Sequence, residues 1–143
     1  MRGRVGSRQA ERCVIAGALA AVTLLTAGCA LFDPQSGLTL ATVMEDHGDA
    51  VDVTANSREI TDEVCGERLD CVEAYSTDEA NYYRFSTREQ AADHAASLHD
   101  GFVVNYVVMD FAGKDSSSKE HQQWAMERLA GTWQDYTGPF PAR

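Results

Sequence analysis

Positive charge is what this chain has least of. Beyond residue 28 it carries 8 lysines and arginines against 21 aspartates and glutamates, a net charge of −13. Such a surface repels nucleic acid and anionic membrane surfaces, so basic partners or cations suit it better and no nucleic-acid role is expected. Lysine is nearly missing, with Lys114 and Lys119 standing beside ten arginines. No HExxH pattern occurs, and the four histidines, His47, His94, His99 and His121, lack zinc spacing. No GxSxG elbow and no glycine-rich phosphate loop is present, which removes the common hydrolase and nucleotide signatures. Asp46, Asp49 and Asp52 recur every third residue, whereas an EF-hand loop alternates its oxygen ligands and needs glycine and glutamate at set places. No cofactor or metal site is expected. A long apolar run is missing too: the uncharged stretch from Cys13 to Gly28 is 16 residues, short for a permanent membrane span of about 20.

What is present begins with an address. Arg2, Arg4, Arg8 and Arg12 precede the uncharged run, and small residues close it. This is the layout of a secretory signal, whose positive end stays on the cytoplasmic side. An ordinary cleaved signal peptide and an uncut anchor helix share that layout, and each of them exports the remainder.

The residues LTAGC, from Leu25 to Cys29, resemble the lipobox of bacterial lipoproteins. That resemblance implies a diacylglycerol on the thiol of Cys29, cleavage just before it, and a mature chain held on the outer face of the cell membrane by acyl chains such as palmitate. Two or three acyl chains hold a protein firmly where one is marginal. The organisation that follows is a signal peptide over 1–28, a lipid anchor and tether over 29–37, and one domain over 38–143. Under this resemblance Cys13 leaves with the signal and Cys29 is acylated, so Cys65 and Cys71 are left as a pair. Outside the cytoplasmic membrane a disulfide between them is permitted. Five residues separate them, two of them acidic, which argues against a redox-active pair.

The exported part reads as helix, strand, strand, helix, strand, helix. Leu40, Val43 and Met44 have helical spacing, and Asn56 or Ser57 is placed to cap a helix carrying Ile60 and Val64. Val72–Tyr75 and Asn81–Ser86 read as a hairpin. Ser86 with Glu89 and Thr87 with Gln90 both fit the capping-box pattern at one helix start, and Ser117 with Glu120 fits it at another. The run FVVNYVVMDF, from Phe102 to Phe111, reads as one interior strand, with Phe102, Val104, Tyr106 and Val108 beneath the Ala91, Ala95 and Leu98 stripe. The expected fold class is therefore α+β, a small antiparallel or mixed sheet of about three strands. Its helices gather on one face, in an order partly like the ferredoxin-like split βαβ arrangement.

For function the expectation is a membrane-anchored, non-catalytic binding or accessory module of the cell envelope, its partner an envelope protein or ligand. Trp133 and Tyr136, beyond the last helix, form the candidate binding surface. Two alternatives stay open. One is a small extracytoplasmic enzyme built on a carboxylate and a histidine, with Asp110 and His99 the first pair to consider. The other is a cation-binding acidic module.

Overall fold

The computed structural model describes residues 33–45, 51–132 and 136–143. The lipobox with Cys29, the residues Asp46, His47 and Asp49, and Trp133 lie outside the described residues. The chain opens with a 3-10 turn over Pro34–Gly37 and a short helix α1, Leu40–Met44, capped by the Thr39 hydroxyl accepting from the Thr42 N–H. After a turn comes β1, Arg58–Glu59, then α2, Thr61–Val64. The hairpin strands β2, Glu73–Ser76, and β3, Asn81–Arg84, follow; then α3, Arg88–Ser97; β4, Gly101–Val104; β5, Val107–Asp110; and α4, Lys119–Thr132. No helix among the described residues is long and apolar enough to cross a membrane.

The sheet has five strands in the order β1-β2-β3-β5-β4, and every neighbouring pair is antiparallel. The fold is α+β as the sequence implies, with five strands rather than about three. Two of the extra strands have clear origins. β1 is only two residues long, too short to leave a period-2 pattern. The apolar run Phe102–Phe111 is a hairpin and not one strand: Val104 pairs with Val107, leaving Asn105 and Tyr106 as the turn. Asn105 has φ 53°, a left-handed conformation that asparagine tolerates better than other non-glycine residues. Of this run, β5 is interior and β4 forms an edge of the sheet. Because β5 returns between them, β3 and β4 run parallel with one strand inserted, and α3 connects the two.

Folding the run back on itself also redistributes its side chains. Phe102, Val104, Tyr106, Val107, Met109 and Phe111 pack with Leu40, Val43, Tyr82, Met126 and Leu129, on the face covered by α1 and α4. Val108, with Val103 beside it, joins Ala74, Phe85 and Ala91 on the face covered by α3. Helices thus cover both faces of the sheet, where the sequence suggested one. Only Val108 of the four residues expected beneath the Ala91 stripe packs there.

Of the two capping boxes read at α3, Thr87 with Gln90 is the one formed: Thr87 Oγ1 accepts from the Gln90 N–H, and Gln90 Oε1 accepts from the Thr87 N–H, both at 3.2 Å. At α4 the cap is one residue later than expected, the Ser118 hydroxyl accepting from the His121 N–H at 3.1 Å. The expected cap at Asn56 or Ser57 is replaced by β1, and Ile60 precedes α2. Cys65 and Cys71 form a disulfide with Cα atoms 4.9 Å apart, closing the loop after α2. Gly66, with φ +106°, supplies the left-handed step that lets the loop turn there.

Candidate functional site

The turn joining β2 to β3, Thr77–Ala80, closes on itself. The Thr77 hydroxyl accepts from the backbone N–H groups of Glu79 and Ala80, at 3.1 and 3.2 Å. The Lys114 ammonium reaches across from the loop after β5, donating to the Thr77 carbonyl at 2.6 Å and the Ser76 hydroxyl at 2.9 Å. This locks the turn against the segment that leads into α4. Burial lowers the pKa of Lys114, against the opposing pull of Asp78, Glu79 and Asp110.

The locked turn holds one anomalous side chain. Glu79 is only 2% exposed, yet its Oε2 atom has no hydrogen-bond partner. A buried carboxylate without full compensation is costly. Burial raises its pKa; its own backbone N–H and the Thr77 hydroxyl act the other way, Asp78 raises it further and His121 lowers it. Glu79 lines an open depression of about 410 Å³ with Asp78, Ser116, Ser117, Ser118 and His121. Across it, the Ser117 hydroxyl is also buried without a partner. Below, Gln122 is 1% exposed and well satisfied: its Nε2 donates to the Lys114 carbonyl at 3.1 Å, and its Oε1 accepts from Lys119 and Arg143. The depression is therefore open and acidic, at the start of α4, and two of its lining residues, Glu79 and Ser117, each carry a buried oxygen without a partner.

Its position follows from strand direction. β3 begins at Asn81, beside this turn, and ends at Arg84, paired with Val107 next to the Asn105–Tyr106 turn. At that far end the opening segment is fastened to the sheet. Ser36 accepts from Arg84 Nη2 at 2.5 Å, and Gln35 Oε1 accepts from Asn105 at 2.7 Å and from Arg88 at 3.2 Å. The Glu79 depression and the point where the chain joins the sheet are at opposite ends of the strands.

The residues singled out from sequence fall elsewhere. Asp110 ends β5 and its Oδ1 accepts from the Ala112 N–H at 2.9 Å, so it caps the turn before Gly113. No hydrogen bond or ion pair among those of the described residues joins it to His99. His99 instead lies beside Asp100, whose pKa it helps to lower behind the larger effect of Arg143. The histidine that feels Asp110 is His94, packed at 5.5 Å from the Tyr83 ring and 5.3 Å from the Phe85 ring, its pKa lowered by burial. Asp52 spends its Oδ1 on the N–H and hydroxyl of Thr54. Tyr136 is half-buried, its ring 5.3 Å from Phe102 and 5.4 Å from Phe140, its hydroxyl donating to the Pro139 carbonyl at 2.8 Å. It closes the edge of the α4-side core. Glu79 carried no signal in the sequence, being one acid among 21 beyond residue 28.

No protein-family model matches the chain, and no curated protein or solved structure matches it.

Proposed function

We propose that this is a membrane-anchored extracytoplasmic lipoprotein, acylated at Cys29, whose domain is a non-catalytic binding module of the cell envelope. The anchor is supported by the LTAGC run behind a charged and then apolar segment. The disulfide between Cys65 and Cys71 agrees with an oxidising compartment. The observation that carries the binding role is the buried Glu79 carboxylate, with an unpaired oxygen lining an open depression. An unpaired buried charge costs stability, and an arrangement of that kind belongs to sites where a ligand completes the hydrogen bonding.

The two ends of the sheet then have different duties. The Arg84–Asn105 end carries the contacts of Gln35 and Ser36, where the tether would enter the domain, and the Glu79 depression lies at the other end of the strands. From Ala30 to Pro34 five residues remain, spanning at most about 18 Å when extended. The short tether keeps the domain close to the membrane.

Metabolic labelling with an alkynyl fatty acid tests the anchor. The wild-type protein takes up label and fractionates with membranes; Cys29→Ala takes up none and is released or misprocessed. An unlabelled wild-type protein with a free amino terminus elsewhere would remove the lipoprotein reading.

A second reading is favoured by one feature. Glu79 and His121 share the depression, and His121 is felt electrostatically by the carboxylate. A carboxylate with a raised pKa beside a histidine is the pairing that general acid–base catalysis uses. Against it, the Ser117 hydroxyl has no hydrogen bond to either group, so no nucleophile is activated.

A further inference from the structure

We propose that the depression between the β2–β3 turn and the start of α4 binds a primary ammonium group, seated on Glu79 Oε2 and Ser117 Oγ. The inference rests on the binding role just described and names its ligand class. Both oxygens are buried and unpaired, and their residues line the same depression from two segments, the β2–β3 turn and the stretch leading into α4. Three other ligand chemistries fit less well. An anion is attracted by a helix start, but here two carboxylates, Asp78 and Glu79, line the approach. A hard metal ion needs six or more oxygens, or a cluster of strong ligands. Among the described residues, no three His, Cys, Asp or Glu side chains stand close enough to hold one. A guanidinium is best held by both oxygens of one carboxylate in parallel, and Glu79 offers a single buried, unpaired oxygen.

An ammonium matches these two acceptors in number and in charge. It is a compact charge with three rotatable donors, so it engages separate single acceptors on two walls and keeps a third donor for water. The domain's own ammonium in this region does not fill the role. Two of the three Lys114 donors go to Thr77 O and Ser76 Oγ, and none reaches Glu79 Oε2 or Ser117 Oγ. Asp78 Oδ2 accepts from Asn56 at 2.8 Å and adds negative potential at the rim rather than a free acceptor. The strong acidity of the domain draws cations toward this end over a distance of about a Debye length. Two sources carry this chemistry, a free alkylamine or polyamine and a lysine side chain of a partner protein.

The test is an NMR titration of the isolated full-length protein in detergent micelles with n-butylammonium chloride, at about pH 8, where alkylamines are protonated and an ordinary histidine is neutral. Saturable shifts are expected at the backbone N–H groups of Asp78, Glu79 and Ser116 to His121. Glu79→Gln should weaken binding by about tenfold or more, as expected for a lost charged hydrogen bond. Glu67→Gln, in the disulfide loop, should leave it unchanged. Should Glu79→Gln not fold, Ser117→Ala serves, with an expected loss of about threefold. Tetramethylammonium, which has charge but no N–H, should produce no shifts at these positions. Spermidine binding more tightly than the peptide Gly-Lys-Gly assigns the source to free polyamines, and the reverse order assigns it to a partner's lysine. No saturable shift up to about 50 mM, far beyond a useful affinity, overturns the proposal. So does unchanged affinity in both Glu79→Gln and Ser117→Ala. Shifts at the same amides from calcium with none from butylammonium overturn the ammonium while leaving a binding role for the depression in place.

Discussion

Arg143 grips Asp100 with both terminal nitrogens, Nη1 to Oδ1 and Nη2 to Oδ2, although 43 residues separate them in the chain. The guanidinium also lies 3.7 Å from the centre of the Phe111 ring and donates to Gln122 Oε1 at 2.7 Å. The side chain of Arg143 is only 5% exposed, that of Asp100 38%. One residue thus fastens the aromatic tail to the segment before β4, to the end of β5 and to α4.

Removing one partner should therefore loosen the tail. For Arg143→Met the expected cost is about 1–2 kcal/mol, below that of breaking a fully buried pair because Asp100 remains solvated. The hydrogen bond from Arg143 holds the Asp100 pKa below its usual value. A depressed carboxylate contributes stability that is present above its unfolded pKa and lost as pH falls through the folded value. The difference between wild type and Asp100→Asn in denaturant melts should accordingly be full at neutral pH and shrink below about pH 4. No difference between the two proteins at neutral pH would mean that packing on Phe111, and not the ion pair, fastens the tail.

Val108→Ala measures the centre of the sheet. Val108 is 0% exposed, on interior strand β5, against the α3-side core that contains Phe85 and Ala91. Its truncation should cost about 1–3 kcal/mol, through lost transfer energy and a cavity. Val72→Ala, at a residue 42% exposed, should stay within about 0.5 kcal/mol. Equal midpoints for the two variants would deny Val108 its interior place.

Reduction of the disulfide between Cys65 and Cys71 should cost about 2 kcal/mol, since the loop it closes is short. The paired variant Cys65→Ala, Cys71→Ala should show the same loss in denaturant melts. Mass spectrometry of non-reduced peptides should recover the linked fragment; two alkylatable thiols in freshly isolated protein would exclude it.

What could be read from the sequence divides along physical lines. Signals that act over three or four residues were legible: the Thr87–Gln90 box, the helical spacing from Leu40 to Met44 and the β2–β3 hairpin are all present. The hairpin within Phe102–Phe111 was legible in principle, because Asn105, near the middle of that run, is a residue at home with a positive φ. Its unbroken hydrophobic flanks masked it, and with it went the assignment of side chains to faces. The Glu79 depression was not legible at all. Its burial comes from the approach of Lys114 and α4 to the hairpin turn, contacts made over 35 residues or more. The same holds for Tyr136, whose partner Phe102 is equally remote. Trp133, the other half of that candidate surface, lies outside the described residues.

Glu79 should leave a pH signature of opposite sign to Asp100. Burial is the largest influence on its carboxyl and raises the pKa; Asp78 adds to the rise, while the Glu79 backbone N–H, Thr77 and His121 oppose it. Burial lowers the pKa of Lys114, in the loop after β5, and the Glu79 charge in turn raises it. With the folded pKa above the unfolded one, the native state binds the proton more tightly than the unfolded chain between the two values. Stability must then fall as pH rises through that window, and the loss persists above the folded pKa. Glu79→Gln removes the charge and keeps the shape. At about pH 8 it should be more stable than wild type by about 1 kcal/mol, the scale of an uncompensated buried polar group. Near pH 4 the gain should vanish, because the wild-type carboxyl is then protonated as well. Thermal melts of both proteins across this range read the effect directly. A variant less stable than wild type at pH 8 would mean that the carboxylate is already satisfied within the fold, and the depression would lose its claim to a cationic ligand.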